Sequence, residues 1–302
     1  MLDFTLAEAL AVFDLKTTIA FAVTLLSFVV PILVLSPPIP IRISEALAQT
    51  HTKLGLPVGE TNLPKPNEEV PEDDTPRVKS LFVYPFKSCR GVELSRAKVG
   101  IAGMQHDRIY TLARLRDRVN EDGEPVWEMI SQRQFPLIAK LSVDIWCPDP
   151  VKTRGKLEER GSDETFYVLR FPWARPGLLG ILDWAAAKLG KGWDGVPEKE
   201  VLLPAKCPSK KEIEERGYTS ELMLIWKDTV RALNMGKELP DELAGLIGVK
   251  EKLGLFCPGP DTRREVFRCA PREEEAGYQP IVLFQDAVSL GWPVEKVRIV
   301  QS

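Results

Sequence analysis

Histidine is scarce in this chain, and its cysteines are not arranged in closely spaced pairs. The 302 residues include two histidines, His51 and His106, and five cysteines, at positions 89, 147, 207, 257 and 269. The common zinc motifs place cysteine or histidine ligands a few residues apart, so this pattern argues against them. Widely spaced cysteines of odd number also form no evident disulfide framework, which fits a reducing compartment.

An excess of positive charge is also lacking. Lysine and arginine number 40 against 43 aspartate and glutamate, which gives a net charge of −3 and an isoelectric point of about 5.7. Without a basic field, nucleic acid is not indicated as a partner. The hydrophobic content of 44% is ordinary for a protein with a buried core, and the length suits one large or two modest domains.

Charge is completely absent from residues 17–41. Thr17–Ser36 is as long as the roughly 20 residues that span a bilayer, so we predict a transmembrane helix there, after an N-terminal flank of residues 1–16. Pro31 lies inside it, and membrane helices tolerate such a proline. A cleaved signal peptide is the main alternative, with a cleavage-like site at Ala46–Ala48, and a buried core helix is another. The acidic residues before the run do not resemble the positive start of a signal peptide.

The next segment, residues 37–76, is rich in proline and acidic side chains. Such a composition buries too little apolar area to offset the entropy of ordering, so we expect a flexible linker. The globular part is then expected to begin near Arg77.

Short apolar runs separated by turn residues follow, which predicts an α+β fold with an antiparallel β-barrel and a few peripheral helices. The expected strands are Val78–Tyr84, Val92–Val99, Arg108–Leu115, Glu128–Gln132, Ile138–Trp146, Thr165–Phe171, Leu222–Trp226, Thr229–Ala232 and Ile281–Phe284. The expected helices are Pro176–Gly190, Ser209–Arg216 and Pro240–Gly248. Gly190 and Gly217 are predicted to end the first two helices, and Ser209 and Asp241 to cap the second and third.

The first of these strands ends in a cationic turn. Lys87, Ser88 and Arg90 follow the strand directly, and a rigid turn that presents cations and a hydroxyl group suits an anion. The alternative interpretation is an ordinary solvated hairpin turn.

The turn also resembles a known family. Tyr84–Gly91 matches the pattern YP-x-KS-C-[RK]-G, Gly103 and Asp107–Tyr110 follow as a second landmark, and Ser131–Pro136 as a third. Together they resemble the MOSC N-terminal β-barrel domain over roughly Val78–Asp286. The nearest relatives that this suggests are the mitochondrial amidoxime-reducing components and the C-terminal part of molybdenum cofactor sulfurases.

The resemblance implies a molybdenum-pterin cofactor, whose phosphate would be bound by Lys87, Ser88 and Arg133. Weaker candidates are Arg90, Arg263, Arg264 and Arg108, the last of which we expect to form a structural ion pair with Asp107. Cys89 is expected to be a small buried hydrophobic side chain. The metal-binding cysteine of the family lies far along its second domain and cannot be matched here, so we assign no metal ligand.

The resemblance breaks after Asp286, where the chain continues as AVSLGWPVEKVRIVQS. We therefore expect a barrel domain at residues 77–250 and the start of a truncated MOSC domain at residues 251–302. By resemblance, the full-length ancestor is an oxidoreductase of N-hydroxylated compounds at the mitochondrial outer membrane, with its globular part in the cytosol and electrons supplied by cytochrome b5 and its reductase. The alternatives are a sulfur or cofactor carrier and a non-catalytic remnant.

The uncharged run gives a direct prediction. Residues 1–36 fused to a fluorescent protein should place it on a membrane with the fusion facing the cytosol, because the run is long enough to cross the hydrocarbon layer. Cell fractionation and protease protection test this. A cleaved and secreted reporter would show that the segment is a signal peptide instead.

Overall fold

The computed structural model describes residues 15–35, 42–57, 59–63, 78–100, 103–153, 164–226 and 228–258. The chain divides into two compact units, one of Met1–Ile41 with Trp173–Pro197 and one of Arg42–Pro172 with Glu198–Ser302. Helices and strands are mixed throughout the described residues, which confirms the predicted α+β class.

The helices are short apart from two. They are α1 (Leu15–Leu35), α2 (Ile43–Leu47), α3 (Pro150–Thr153), α4 (Leu178–Lys191), α5 (Lys210–Arg216) and α6 (Glu242–Ile247), with 3₁₀ turns at Pro136–Lys140 and Gly236–Glu238. The strands are β1 (His51–Leu54), β2 (Leu81–Val83), β3 (Val92–Leu94), β4 (Val99–Gly100), β5 (Gly103–Met104), β6 (Thr111–Val119), β7 (Pro125–Met129), β8 (Ser142–Pro148), β9 (Phe166–Pro172), β10 (Glu198–Pro204), β11 (Thr219–Ile225), β12 (Asp228–Asn234) and β13 (Leu253–Cys257).

The uncharged N-terminal run forms a helix, as predicted. Helix α1 has Pro31 inside it, and its apolar side chains between Ile19 and Val29 are exposed. Within the part of the chain that the structure describes, no helix is found that could cross a membrane. The predicted helix is therefore confirmed, whereas the predicted transmembrane span at Thr17–Ser36 is not found.

The predicted helix ends are confirmed where side chains or glycines act locally. In α5, Glu212 Oε2 accepts from Ser209 N at 2.7 Å and Ser209 Oγ accepts from Glu212 N at 3.4 Å, while Gly217 adopts φ 62°. Helix α4 ends one turn-forming glycine later than expected, at Gly192 instead of Gly190. Asp241 lies at the N-cap position of α6, as predicted, but its side chain makes no capping hydrogen bond.

Part of the predicted linker at residues 37–76 is ordered structure instead. Strand β1 pairs with β8 at one edge of a four-stranded antiparallel sheet of order β1-β8-β9-β10. His51 is buried, and its ring nitrogens contact Thr50 Oγ1 at 2.7 Å and the Glu164 carbonyl at 2.9 Å. Ser44 in α2 donates through N and Oγ to the Glu200 carboxylate. These contacts fix residues 42–54, a stretch of the predicted linker that contains no proline.

The barrel predicted from the sequence is present and closed. Its five strands are joined in the order β11-β12-β13-β6-β7, and the circle is completed by pairing β7 with β11. That last pairing is parallel, so the prediction of a wholly antiparallel barrel was wrong at this one seam. Strand β13 was not predicted and lies beyond residue 250, where the sequence analysis places a domain boundary.

Other predicted strands shifted or lie elsewhere. The segment from Pro136 to Lys140 forms a 3₁₀ turn that buries Ile138, so the strand expected from Ile138 begins at Ser142. Proline at the start of that turn fixes a helical φ angle, and the apolar run alone does not reveal this. Strand β10 was not predicted, and the strand expected at Ile281–Phe284 lies outside the described residues.

The interior of the barrel is filled from all five strands. Its buried cluster consists of Ala113, Trp127, Met129, Met223, Ile225, Ala232 and Phe256. Trp127 and Phe256 have ring centroids 5.3 Å apart, and their rings press against the backbone of Gly254. A Cβ atom at Gly254 would lie 2.7 Å from Phe256 and 2.8 Å from Trp127, so the two large rings require glycine at this position.

The close packing on Gly254 predicts how much one added methyl group at this position should reduce stability. Gly254→Ala should destabilise the protein by about 1–3 kcal/mol, because the buried rings must shift to make room. Gly245→Ala is the matched control, because a Cβ atom there meets nothing within 4 Å in helix α6. It should be neutral or stabilising by about 0.5–1 kcal/mol. Urea unfolding of both variants measures the difference, and equal stabilities would contradict the packing argument.

Candidate anion-binding site

The cationic turn is held by backbone hydrogen bonds on both of its sides. Phe86 forms a bridge with Tyr110, in which Lys87 N donates to Tyr110 O and Tyr110 N donates to Pro85 O, both at 2.9 Å. On the other side, Arg90 N donates to Leu141 O at 3.0 Å. Phe86 and Tyr110 are fully buried and stack with centroids 5.1 Å apart. The turn therefore extends directly from the hydrophobic core.

Inside the turn, Ser88 and Cys89 differ in how deeply they are buried. Ser88 adopts φ 66° and is half-buried, so the chain reverses there. Cys89 is 1% exposed, and burial raises the pKa of its thiol. A buried thiol of raised pKa is unreactive at neutral pH, which confirms the prediction that Cys89 is a packing residue.

The two ends of the Tyr84–Gly91 motif pack against each other. A Cβ atom at Gly91 would lie 2.7 Å from Cε1 of Tyr84, so the tyrosine ring lies directly on the glycine. The backbone conformation of Gly91 is not in the left-handed region, and its requirement for glycine comes from this contact alone.

The second landmark is hydrogen-bonded to the backbone of Tyr84, just before the cationic turn. Asp107 accepts from Tyr84 N at 2.8 Å and from Arg108 Nη1 at 2.6 Å, while Arg108 N donates to Tyr84 O at 2.7 Å. This confirms Arg108 as a partner in a structural ion pair. His106 Nδ1 lies 2.8 Å from the Tyr167 hydroxyl, and burial lowers the pKa of His106.

The third landmark forms a turn beside the same strand. Ile130 N donates to Leu112 O at 3.0 Å, and the following residues turn through hydrogen bonds from Gln134 N and Phe135 N to Ser131 O. Arg133 is exposed in this turn and, within the described residues, makes no hydrogen bond or ion pair. Its guanidinium group therefore remains accessible to a ligand.

These two turns meet at the beginning of β6. Lys87 is bonded to Tyr110 and Ile130 to Leu112, two residues apart on the same chain segment, and Arg90 is bonded to Leu141 just after the 3₁₀ turn that follows Arg133. These hydrogen bonds thus bring the Lys87–Ser88 turn and the Arg133 turn to the same end of the barrel. Arg90 is exposed there, and Arg263 and Arg264 lie outside the described residues.

Trp226 is the residue at this end that the sequence analysis did not assign to the site. Strands β7 and β11 run parallel, so the turn after Ile225 lies beside the turn after Met129. Trp226 adopts φ 60° in that turn and is 51% exposed, and Lys87 Nζ lies 5.8 Å from its ring centroid. In the sequence, the only indication of a role for Trp226 is that an aromatic residue stands at a tight turn between two predicted strands. Only the parallel seam places it beside Lys87.

Comparison with known proteins agrees with this geometry. Residues 75–163 match the family model of the MOSC N-terminal beta barrel domain. This segment is a MOSC N-terminal domain. The match contains all three landmarks and β2 to β8, whereas β11, β12 and β13 lie beyond it. No curated protein matches the chain, and the more specific similarity to amidoxime-reducing components or sulfurases is not confirmed.

MOSC proteins are linked in general to the molybdenum cofactor, so the fit of that group can be tested against these residues. A pterin phosphate requires cations and hydroxyl donors, and Lys87, Ser88 and Arg133 supply them from two rigid turns. Lys87 is 8% exposed and adds a nearly buried positive charge to this end of the barrel. The residues fit the phosphate. Among the described residues, no group of three histidine, cysteine or acidic side chains could hold a metal ion.

Because Tyr84 packs on Gly91, we expect substitutions at these two positions to have non-additive effects on the stability of the MOSC N-terminal domain. Gly91→Ala should cost about 1–3 kcal/mol of stability, because the new methyl group overlaps the tyrosine ring. In a Tyr84→Ala background the same substitution should cost almost nothing. Urea unfolding of the four chains gives the coupling energy. An equal cost in both backgrounds would mean that Gly91 is required for its backbone and not for this contact.

Proposed function

We propose that this chain is a molybdenum-cofactor-binding protein that holds the phosphate of the pterin at the end of the barrel formed by the Lys87–Ser88 turn, the Arg133 turn and Trp226. The observation that carries the proposal is the convergence of those turns through their hydrogen bonds to Tyr110, Leu112 and Leu141. It has further support from the MOSC N-terminal domain match at residues 75–163.

The three side chains have distinct roles in this proposal. Arg133 is exposed and has a planar fork of donors, which suits bidentate binding of a phosphate. Lys87 adds a nearly buried positive charge, and Ser88 adds a hydroxyl group from a backbone conformation fixed by the turn. The exposed indole of Trp226 provides a flat surface next to the charge, on which a planar ring can stack.

The activity associated with this cofactor is the second part of the proposal. When bound, the group would supply two-electron reduction of N-hydroxylated compounds, with electrons from cytochrome b5 and its reductase. This part and attachment to a membrane through Thr17–Ser36 rest on the resemblance and the sequence. The residues described here contribute binding and orientation of the phosphate.

Cofactor retention is the direct test. The full chain is purified from cells that make the cofactor, and the pterin released on denaturation is quantified by fluorescence. Lys87→Ala and Arg133→Ala should each weaken retention by about 1.5–3 kcal/mol, which is the range for hydrogen bonds to charged groups and corresponds to roughly 10-fold to 150-fold.

Arg231→Ala is the matched control. Arg231 is also exposed, but it pairs with Glu124 at 3.0 Å, and Glu124 precedes β7 at the end opposite to Arg133. It should retain as much pterin as the unmodified chain. Circular dichroism confirms that each variant is folded. Pterin content that is unchanged in both Lys87→Ala and Arg133→Ala would refute the proposed site.

A further inference from the structure

Helix α4 exposes its large apolar side chains and buries its smallest ones. The buried residues of this helix are Gly180 and Ala187. At 3.6 residues per turn, four large apolar residues share the opposite face and are between 42% and 89% exposed, namely Leu178, Ile181, Leu182 and Leu189. A surface helix normally turns such a face towards the core, so this orientation requires an explanation.

The segments that flank α4 hold its small-residue side. A Cβ atom at Gly180 would overlap the carbonyl of Arg175, and one at Gly195 would overlap the carbonyl of Ala187. Asp183 accepts from Arg175 N at 2.9 Å and from Arg175 Nη2 at 2.6 Å. Glycine is required at both close approaches, and the large apolar face is left pointing away from these flanks.

Tryptophan and lysine side chains border the apolar face. Trp184, Lys188 and Lys191 follow one another at helical spacing along one of its edges. Lys188 Nζ lies 5.9 Å from the ring centroid of Trp184 and donates to Trp193 O. Trp184 is 45% exposed and Trp193 is 90% exposed. Indole rings and lysine side chains both combine an apolar body with a polar end, which suits the boundary between water and lipid.

The charge of this segment differs from that of the whole chain. Residues 173–197 contain three basic and two acidic side chains, whereas the chain has a net charge of −3. Because Asp183 is paired with Arg175, the remaining charges are Lys188 and Lys191 against Asp194. A locally cationic segment suits an anionic surface.

Two further observations favour lipid over a second copy of this chain. Lysine is depleted from protein–protein interfaces, yet two lysines border the apolar face of α4. The compact unit that contains α4 also contains α1, whose apolar side chains between Ile19 and Val29 are exposed as well. Exposed apolar surface is therefore present on both long helices of this unit.

We propose that α4 is an interfacial helix that lies in the headgroup layer of a bilayer containing anionic lipid. Its apolar face would point towards the acyl chains, and Lys188 and Lys191 would lie among the headgroups. The helix has 14 residues, fewer than the roughly 20 that cross a bilayer, so it would lie along the surface. This contact is separate from the proposed attachment through Thr17–Ser36 and is independent of the cofactor proposal.

The experiment measures whether the indoles of this segment contact lipid. The full chain is mixed with vesicles of equimolar phosphatidylcholine and phosphatidylserine whose acyl chains carry bromine, which quenches tryptophan fluorescence on contact. A variant with both Trp184→Phe and Trp193→Phe gives the contribution of these two residues by difference. Their fluorescence should be quenched by the brominated vesicles and, without vesicles, by acrylamide in the water. Vesicles of phosphatidylcholine alone should quench it less.

Leu189→Asp should lose the quenching by lipid, because a carboxylate would have to leave water for the acyl-chain boundary. Val151→Asp is the matched control, since Val151 is an exposed apolar residue of helix α3, outside this segment. It should be quenched like the unmodified chain. Circular dichroism checks that each variant is folded, and the unmodified chain gives an answer even if a variant does not fold.

Four results would overturn the proposal. Vesicle binding without quenching of these two indoles would place the contact elsewhere in the chain, and equal quenching by both lipid mixtures would exclude the anionic surface. Indoles protected from acrylamide without vesicles would mean that another segment of the chain covers the face. A dimer in sedimentation that Leu189→Asp dissociates would assign the face to a second copy of the chain.

Discussion

The backbone pairing of Phe86 with Tyr110 is the constraint on which the site depends. It joins the cationic turn to the first residue before β6, and the Arg90 to Leu141 hydrogen bond secures the other side. Because Phe86 and Tyr110 are both fully buried, moving Lys87 would require opening the core. A turn held in this way presents its charge without losing side-chain and backbone freedom on binding, which is what preorganised anion sites require.

The closed barrel brings the other turns of the candidate site together. Its strands come from two distant parts of the chain, β6 and β7 before residue 130 and β11 to β13 after residue 218. The parallel seam between β7 and β11 sets the turn of Trp226 beside the turn of Arg133. A binding surface built from loops at one end of a barrel is common, because the strands provide a rigid base while the loops provide the chemistry.

Local signals were predicted well, and non-local ones were not. The capping box of α5, the positive φ of Gly217 and the Asp107–Arg108 ion pair are confirmed, since each involves residues close together in sequence. Strand β1 was assigned to a linker, and β10 and β13 were not predicted. Each of these is stabilised by a partner more than 20 residues away, and the local pattern carries no record of that partner.

The sequence by itself determined the α+β class, the barrel domain and the identity of the three candidate phosphate contacts, because these depend on local patterns and on a short motif. Only the tertiary structure decided which turns lie together and that Trp226 lies beside Lys87. The reason is physical. Composition and periodicity specify which surfaces a segment buries, whereas strand pairing and closure of the barrel specify which segment it buries them against.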